Sequence, residues 1–240
     1  MDLAHFLNER LKFVEYFHST TTAHFEEVKN KIEAGEPPYV DNRNPEYADE
    51  PAFLEEWQRA DAAMTITGAA CLDLLQSTFH EFLDQFMVET GNGEITPHLN
   101  EMGKKSWFGN YREFFETHLQ IDWTASGANL DLLEQAILTR NDFAHNVDLF
   151  SFEAFQTPFH SRKHPDSAFA DPRWKALFPD RIRLIVPTET LQRVIESLRT
   201  LCEYLDHERH ELARRGGKRF VWQPEPKPAV AAPDNISRLE

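Results

Sequence analysis

Cysteine and glycine are scarce in this chain of 240 residues, and long apolar runs are missing altogether. Two cysteines, Cys71 and Cys202, cannot build a disulfide framework. Both fall on apolar helical faces, which predicts buried thiols in a reducing compartment. Nine glycines against 19 phenylalanines suit packed helices better than a turn-rich β protein. No apolar stretch reaches the roughly 18 residues that a membrane-spanning helix needs. The opening MDLAHFLNERLKFVEY mixes acids and bases through its apolar positions and has neither the n-region nor the h-region of a signal peptide. A cytoplasmic protein is expected. No Gly-rich phosphate loop, G-x-S-x-G elbow or zinc-finger spacing occurs.

What is present is a folded composition, 41% hydrophobic and 12% aromatic, with an uneven charge. The net charge of −15 looks hostile to nucleic acid, yet residues 1–103 carry 20 acids and 6 bases, a balance of −14. Residues 104–240 hold the other 20 acids and 19 bases, a balance of −1. Within 160–183 six bases (Arg162, Lys163, Arg173, Lys175, Arg181, Arg183) face three acids, with His160 and His164 beside them. That stretch reads either as a local basic surface or as an ordinary solvated loop; beyond about 8 Å the acidic remainder is screened at physiological salt.

Taken in order, the chain reads as helices. Apolar positions from Leu3 to Ile32 recur at spacings of three and four, with a kink or break expected at Ser19-Thr20-Thr21-Thr22. Residues 35–50 are a proline-rich loop. Pro51 is expected to open a second helix whose stripe, Phe53 through Phe86, continues to the stop at Gly91-Asn92-Gly93. Such a rod, roughly 55–60 Å long, pairs with another long helix in the same chain or in a partner. Residues 94–103 are irregular, and Lys104–Gln120 is a short helix with an aromatic face of Trp107, Tyr111, Phe114 and Phe115. After a turn over 121–129, Ser126 or Asn129 caps a helix from Leu130 to Asn146. Residues 147–180 lack a period and form a long loop of the kind that often carries function. Arg181–Val186 alternates like a brief strand, and Thr188–Arg214 is the last helix, ending at Gly216-Gly217. The expected fold is an all-α bundle of four or five helices in one domain over 1–217, an acidic long-helix portion (1–103) followed by a motif-bearing portion (104–217). A disordered tail is expected over 218–240.

The chemistry concentrates in Leu130–Asn146. Its apolar stripe runs Leu130, Leu133, Ile137, then Arg140, then Ala144, so a guanidinium stands where a hydrophobe is called for. It needs a carboxylate, a subunit interface or an anionic ligand. Asp73, Glu81 and Asp84 on the second helix are candidate partners. Asn141 and His145 are four apart, which lets the amide orient the imidazole. Arg140 and His145 are about 140° apart around a straight helix and converge only if the helix unwinds near His145 or two copies meet. Histidine as proton carrier with arginine as charge stabiliser suits a phosphodiester with a 2′-hydroxyl nucleophile, which needs RNA and no metal.

Arg140-Asn141-x-x-x-His145, followed by Asn146, resembles the signature of the HEPN (higher eukaryotes and prokaryotes nucleotide-binding) superfamily. That superfamily includes toxin–antitoxin and abortive-infection ribonucleases. The resemblance implies an all-α homodimer with a composite site, metal-independent endoribonuclease activity on RNA, no cofactor, and a setting in prokaryotic defence with an antitoxin or other protein partner. Arg140, Asn141 and His145 take the catalytic positions. His160, Arg162, Lys163 and His164 are candidate substrate contacts. The alternative is a non-catalytic helical module that binds a protein partner or a nucleotide. Weaker signals are the His160/His164 and His207/His210 spacings, which could hold a metal but lack a third ligand, and Trp107, Tyr111 and Phe114, which could stack on bases but more often form core.

Overall fold

The computed structural model describes residues 2–43, 50–99, 106–148 and 151–216. The first helix, α1 (Leu3–Ala34), starts on Asp2, whose carboxylate accepts the His5 N–H at 2.9 Å. It ends on Gly35 at φ +64°, a left-handed residue that lets the Gly35 and Glu36 N–H groups close back on Ile32 and Lys31. The buried stripe is Leu3, Leu7, Leu11, Val14, His18 and Thr22. No break occurs at the hydroxyl run. Ser19 Oγ and Thr22 Oγ1 donate to the carbonyls of Tyr16 and His18, at 3.1 and 2.9 Å, so both side chains are satisfied without opening the helix. Packing against a neighbour outweighs the weak local preference.

That neighbour is α2 (Leu54–Glu89), antiparallel in sequence order and about 54 Å long at 1.5 Å per residue. The expected pairing of long helices is thus met within one chain. The helix begins at Leu54 and not at Pro51, because Phe53 adopts φ +57° and turns its ring onto Tyr39, with centroids 5.3 Å apart. Beyond a 3₁₀ turn (Gly93–His98), α3 (Trp107–Phe114) widens into a π turn over Phe115–Leu119. Its aromatic face packs inward: Trp123, fully buried, sits 5.4 Å from Phe115 and 5.5 Å from Phe108. Tyr111 and Phe114 are buried too, so they are core and are not placed to stack on RNA bases.

The motif helix α4 (Leu130–His145) is capped by Asn129, whose side chain accepts the Leu132 N–H; Ser126 instead receives the Ala128 N–H. The long loop is less irregular than its sequence suggests. It holds α5 (Pro158–Lys163) and α6 (Pro172–Leu177), each opened by proline behind a capping Thr157 or Asp171. Arg181–Val186 does not form a strand: Arg183 and Leu184 make only single bridges, to Phe155 and Ala170. The last helix, α7 (Thr188–Arg214), packs on α1, α2 and α4 through Leu191, Val194, Leu198, Leu201 and Leu205. The fold is all-α, and no helix among the described residues is long and apolar enough to cross a membrane. The 218–240 tail lies outside the described residues.

Both cysteines are buried and unpaired as expected. Burial pushes the Cys71 thiol up to about 11 and Cys202 well above its ordinary value.

Candidate functional site

Helix α4 is covered on two sides. Leu132, Leu133, Ala136, Ile137 and Phe143 face the bundle core. Gln135, Thr139 and Asp142, also buried, follow one another at spacings of four and three on a second face. Successive residues turn about 100°, which leaves one lane open: Leu138, Asn141 and His145 lie along it, with Arg140 and Ala144 at its edge toward α2. His145 is exposed, and no described residue gives it a hydrogen bond or an ion pair. The helix stays α-helical through His145, with the Asn146 N–H bonded to the Asp142 carbonyl at 2.7 Å. Unwinding, one of the two ways in which Arg140 and His145 could converge, is therefore absent.

Arg140 meets Asp73 of α2, one of the three carboxylates expected to face it: Nε and Nη2 donate to Asp73 Oδ1 at 2.7 and 2.5 Å. Asp84 binds the Tyr111 hydroxyl, and Glu81 accepts from Gln85. The pair is open to solvent, 30% exposed at Arg140 and 52% at Asp73, so it is a weak ion pair that an anion can displace. Arg140 Nη1 also donates to Asn141 Oδ1 at 3.4 Å, so the Asn141 amide steadies the guanidinium and not the imidazole.

Of the four candidate substrate contacts, the two histidines need correction, and Arg162 and Lys163 are exposed. His160 is fully buried, with Nδ1 2.7 Å from Asp142 Oδ2, and it cannot touch RNA in this conformation. His164 is buried, with its ring nitrogens 3.3 Å from Asp131 and 3.5 Å from Glu134. Lys163 pairs with Glu134 at 2.5 Å. The backbone N–H of Ala168 donates to Gln135 Oε1 at 2.8 Å. These residues fasten the segment after α4 to the polar face of α4. The basic surface, one of the two readings of 160–183, is mostly consumed in the same way. Lys175 pairs with Asp166, Arg181 stacks 3.8 Å from the Phe155 ring centroid, and Arg183 is buried among carboxylates. Arg162 and Arg173 stay exposed with no ion pair among the described residues.

Sequence reasoning passed over Asp142, although it lies between Arg140 and His145. A carboxylate at the buried end of the Gln135–Thr139–Asp142 stripe was the available signal. The His160/His164 spacing reads as a possible metal pair. The same spacing puts both rings on one side of a short helical segment, where they meet the acids of α4. Among the described residues no group of three or more His, Cys, Asp or Glu side chains could hold a metal ion.

No family model matches the chain, and neither the curated proteins nor the solved structures show a match.

Proposed function

We propose that this protein is a metal-independent endoribonuclease of the HEPN type that acts as a homodimer. His145 moves the proton at the 2′-hydroxyl or at the leaving 5′-oxygen, and Arg140 stabilises the charge on phosphorus. The 2′-oxygen bonds to phosphorus, the bond to the 5′-oxygen breaks, and a 2′,3′-cyclic phosphate and a 5′-hydroxyl remain. Asn141 steadies Arg140. A defence or toxin role, with a protein that neutralises it, follows from the same reading.

The observation that carries it is the uncovered lane of α4, which ends in an exposed His145 with no partner among the described residues, about a turn and a half beyond an arginine held by a solvent-exposed carboxylate and by Asn141. Arg183 and His160, by contrast, are buried against partners. A straight helix separates the two side chains, so a second copy supplying the complementary residue is the route left to a composite site. Ile66, exposed seven residues before Asp73 and so on the same side of α2, adds apolar area there.

A second reading, a non-catalytic module that binds a protein partner, is favoured by the internal pairing of Lys163, Lys175 and Arg183, which leaves little open positive surface for RNA.

RNA cleavage with chelator present decides between them. Wild type should cleave, and His145→Ala and Arg140→Ala should each lose at least about 100-fold in rate, the usual worth of a general acid–base or an oxyanion-stabilising group. Cleavage that is unchanged in both variants, or a strictly monomeric wild type in light scattering, would overturn the enzymatic reading. Absence of cleavage by wild type on any RNA would favour the binding module.

A further inference from the structure

His145 has no side-chain partner among the described residues, so only the end of α4 fixes where its imidazole stands. Phe143 packs that end into the core, the Val147–Ala154 bridge follows it, and one buried carboxylate ties it to the segment beyond. Asp142 lies two residues after Arg140 and three before His145 and is buried. Its Oδ2 faces His160 Nδ1 at 2.7 Å and accepts the Thr157 N–H at 3.3 Å; its Oδ1 accepts from Asn146 Nδ2 at 3.4 Å. Its own carbonyl accepts the Asn146 N–H. Asp142 therefore ties the residue that follows His145 to the start of α5, with His160 as the innermost partner.

The arrangement is polar where packing alone would favour hydrophobes. The His160 and Asp142 side chains are 0% and 5% exposed, and His160 Nε2 has no hydrogen-bond partner among the described residues. A buried pair with an unsatisfied nitrogen is a poor device for stability, and an apolar pair of like volume would serve that end better. It is a good device for geometry, because the 2.7 Å contact fixes the ring orientation, and an ionised carboxylate, which only accepts, takes a proton carried on Nδ1.

We propose that Asp142 and His160 are a positioning dyad that sets the His145-bearing end of the motif helix from outside the motif. The catalytic part of this inference rests on the ribonuclease reading above; the positioning of the helix end does not. His160 touches no substrate. It acts through Asp142 and Asn146, and α5 becomes part of the site through that chain of contacts.

Amide replacements of His160 separate the two nitrogens. Asparagine puts an N–H donor near the place of Nδ1, and glutamine puts it near the place of Nε2. Amide hydrogen exchange at residues 144–146 and the His145 ring NMR signal are followed in wild type, His160→Asn and His160→Gln, with RNA cleavage measured in parallel. His160→Gln should speed exchange about tenfold or more and lower kcat about tenfold with KM nearly unchanged. His160→Asn should restore both toward wild type. A folded His160→Gln protein with wild-type exchange and an unmoved His145 signal would overturn the proposal. Should both variants unfold, Asn146→Ala, which cuts the hub on its exposed side, decides by the same two readouts. A wild type that cleaves no RNA while exchange still responds to His160→Gln would sink the ribonuclease reading and leave the positioning of the helix end standing.

Discussion

Arg140 and His160 show how far burial decides what a polar side chain can do. Arg140, partly exposed beside a half-exposed Asp73, keeps its charge available. His160, buried against Asp142, can only hold other residues in place. His18 is a third case. It occupies a core position of α1, and burial lowers its pKa below the ordinary histidine value despite the charge of Glu26. A depressed folded pKa means that the unfolded chain binds the proton more readily. Stability is then full above the unfolded value, about 6.5, and falls as pH drops toward the folded one. The melting temperature should decline between pH 7 and pH 5, and His18→Leu should shrink that decline, as a pH series of thermal melts will show. An unchanged slope in the variant would remove His18 as its source.

At the scale of elements, the approach of the Arg181–Val186 arm to α2 controls how the long segment after the motif helix is seated. Gly68 faces Val186 so closely that an added Cβ would lie 2.5 Å from the valine Cβ. Neither atom is the free end of a flexible chain, so backbone must shift to admit a methyl. Although alanine favours a helix over glycine by about 1 kcal/mol, overpacking of this kind costs about 1–3 kcal/mol. Gly68→Ala should therefore lower the urea midpoint, and a variant as stable as wild type would show that the two elements separate easily. The same contact explains why a glycine is tolerated in the middle of a 36-residue helix.

On the scale of the whole molecule, Arg183 joins parts distant in sequence. Its guanidinium bonds Asp61 of α2 and reaches Asp171 and Glu153 at 3.2 Å each, while Lys29 of α1 bonds Asp61 at 2.5 Å. Burial by itself would raise the Asp61 pKa, but the hydrogen bonds and charges of Lys29 and Arg183 outweigh it and hold the carboxyl below its ordinary value. Such a group stabilises the fold above its unfolded pKa, near 4, and the contribution is lost as pH falls through the lower folded value. Asp61→Asn should blunt the loss of stability below about pH 4. Arg183→Met, which strands the carboxylates, should cost about 3–5 kcal/mol at neutral pH by denaturant titration. A cost under about 1 kcal/mol would mean that water already screens the cluster.

Much of this molecule follows from periodicity alone. The stripes of α1, α2, α4 and α7 repeat at three and four residues over many turns, and an apolar face of that length has to be buried against another. The Asn129 cap, the Gly35 stop and the Arg140–His145 spacing are local, and each could be read without a partner in view. The segment after α4 is different. Whether His160, Lys163 and His164 meet RNA or the acids of α4 depends on which face of α4 returns to them, and no local pattern contains that choice. Two short helices opened by Pro158 and Pro172 fold the segment back, and Gly68 lets its arm lie close on α2. Local pattern sufficed for the helices with long apolar stripes and for the polar side chains that interrupt them, though not for α5, α6 or the start of α2. Tertiary structure alone decided which of those side chains are neutralised within the fold and which, like His145, remain open, because the Coulomb attraction that pairs them acts across chain-distant residues brought within a few ångströms.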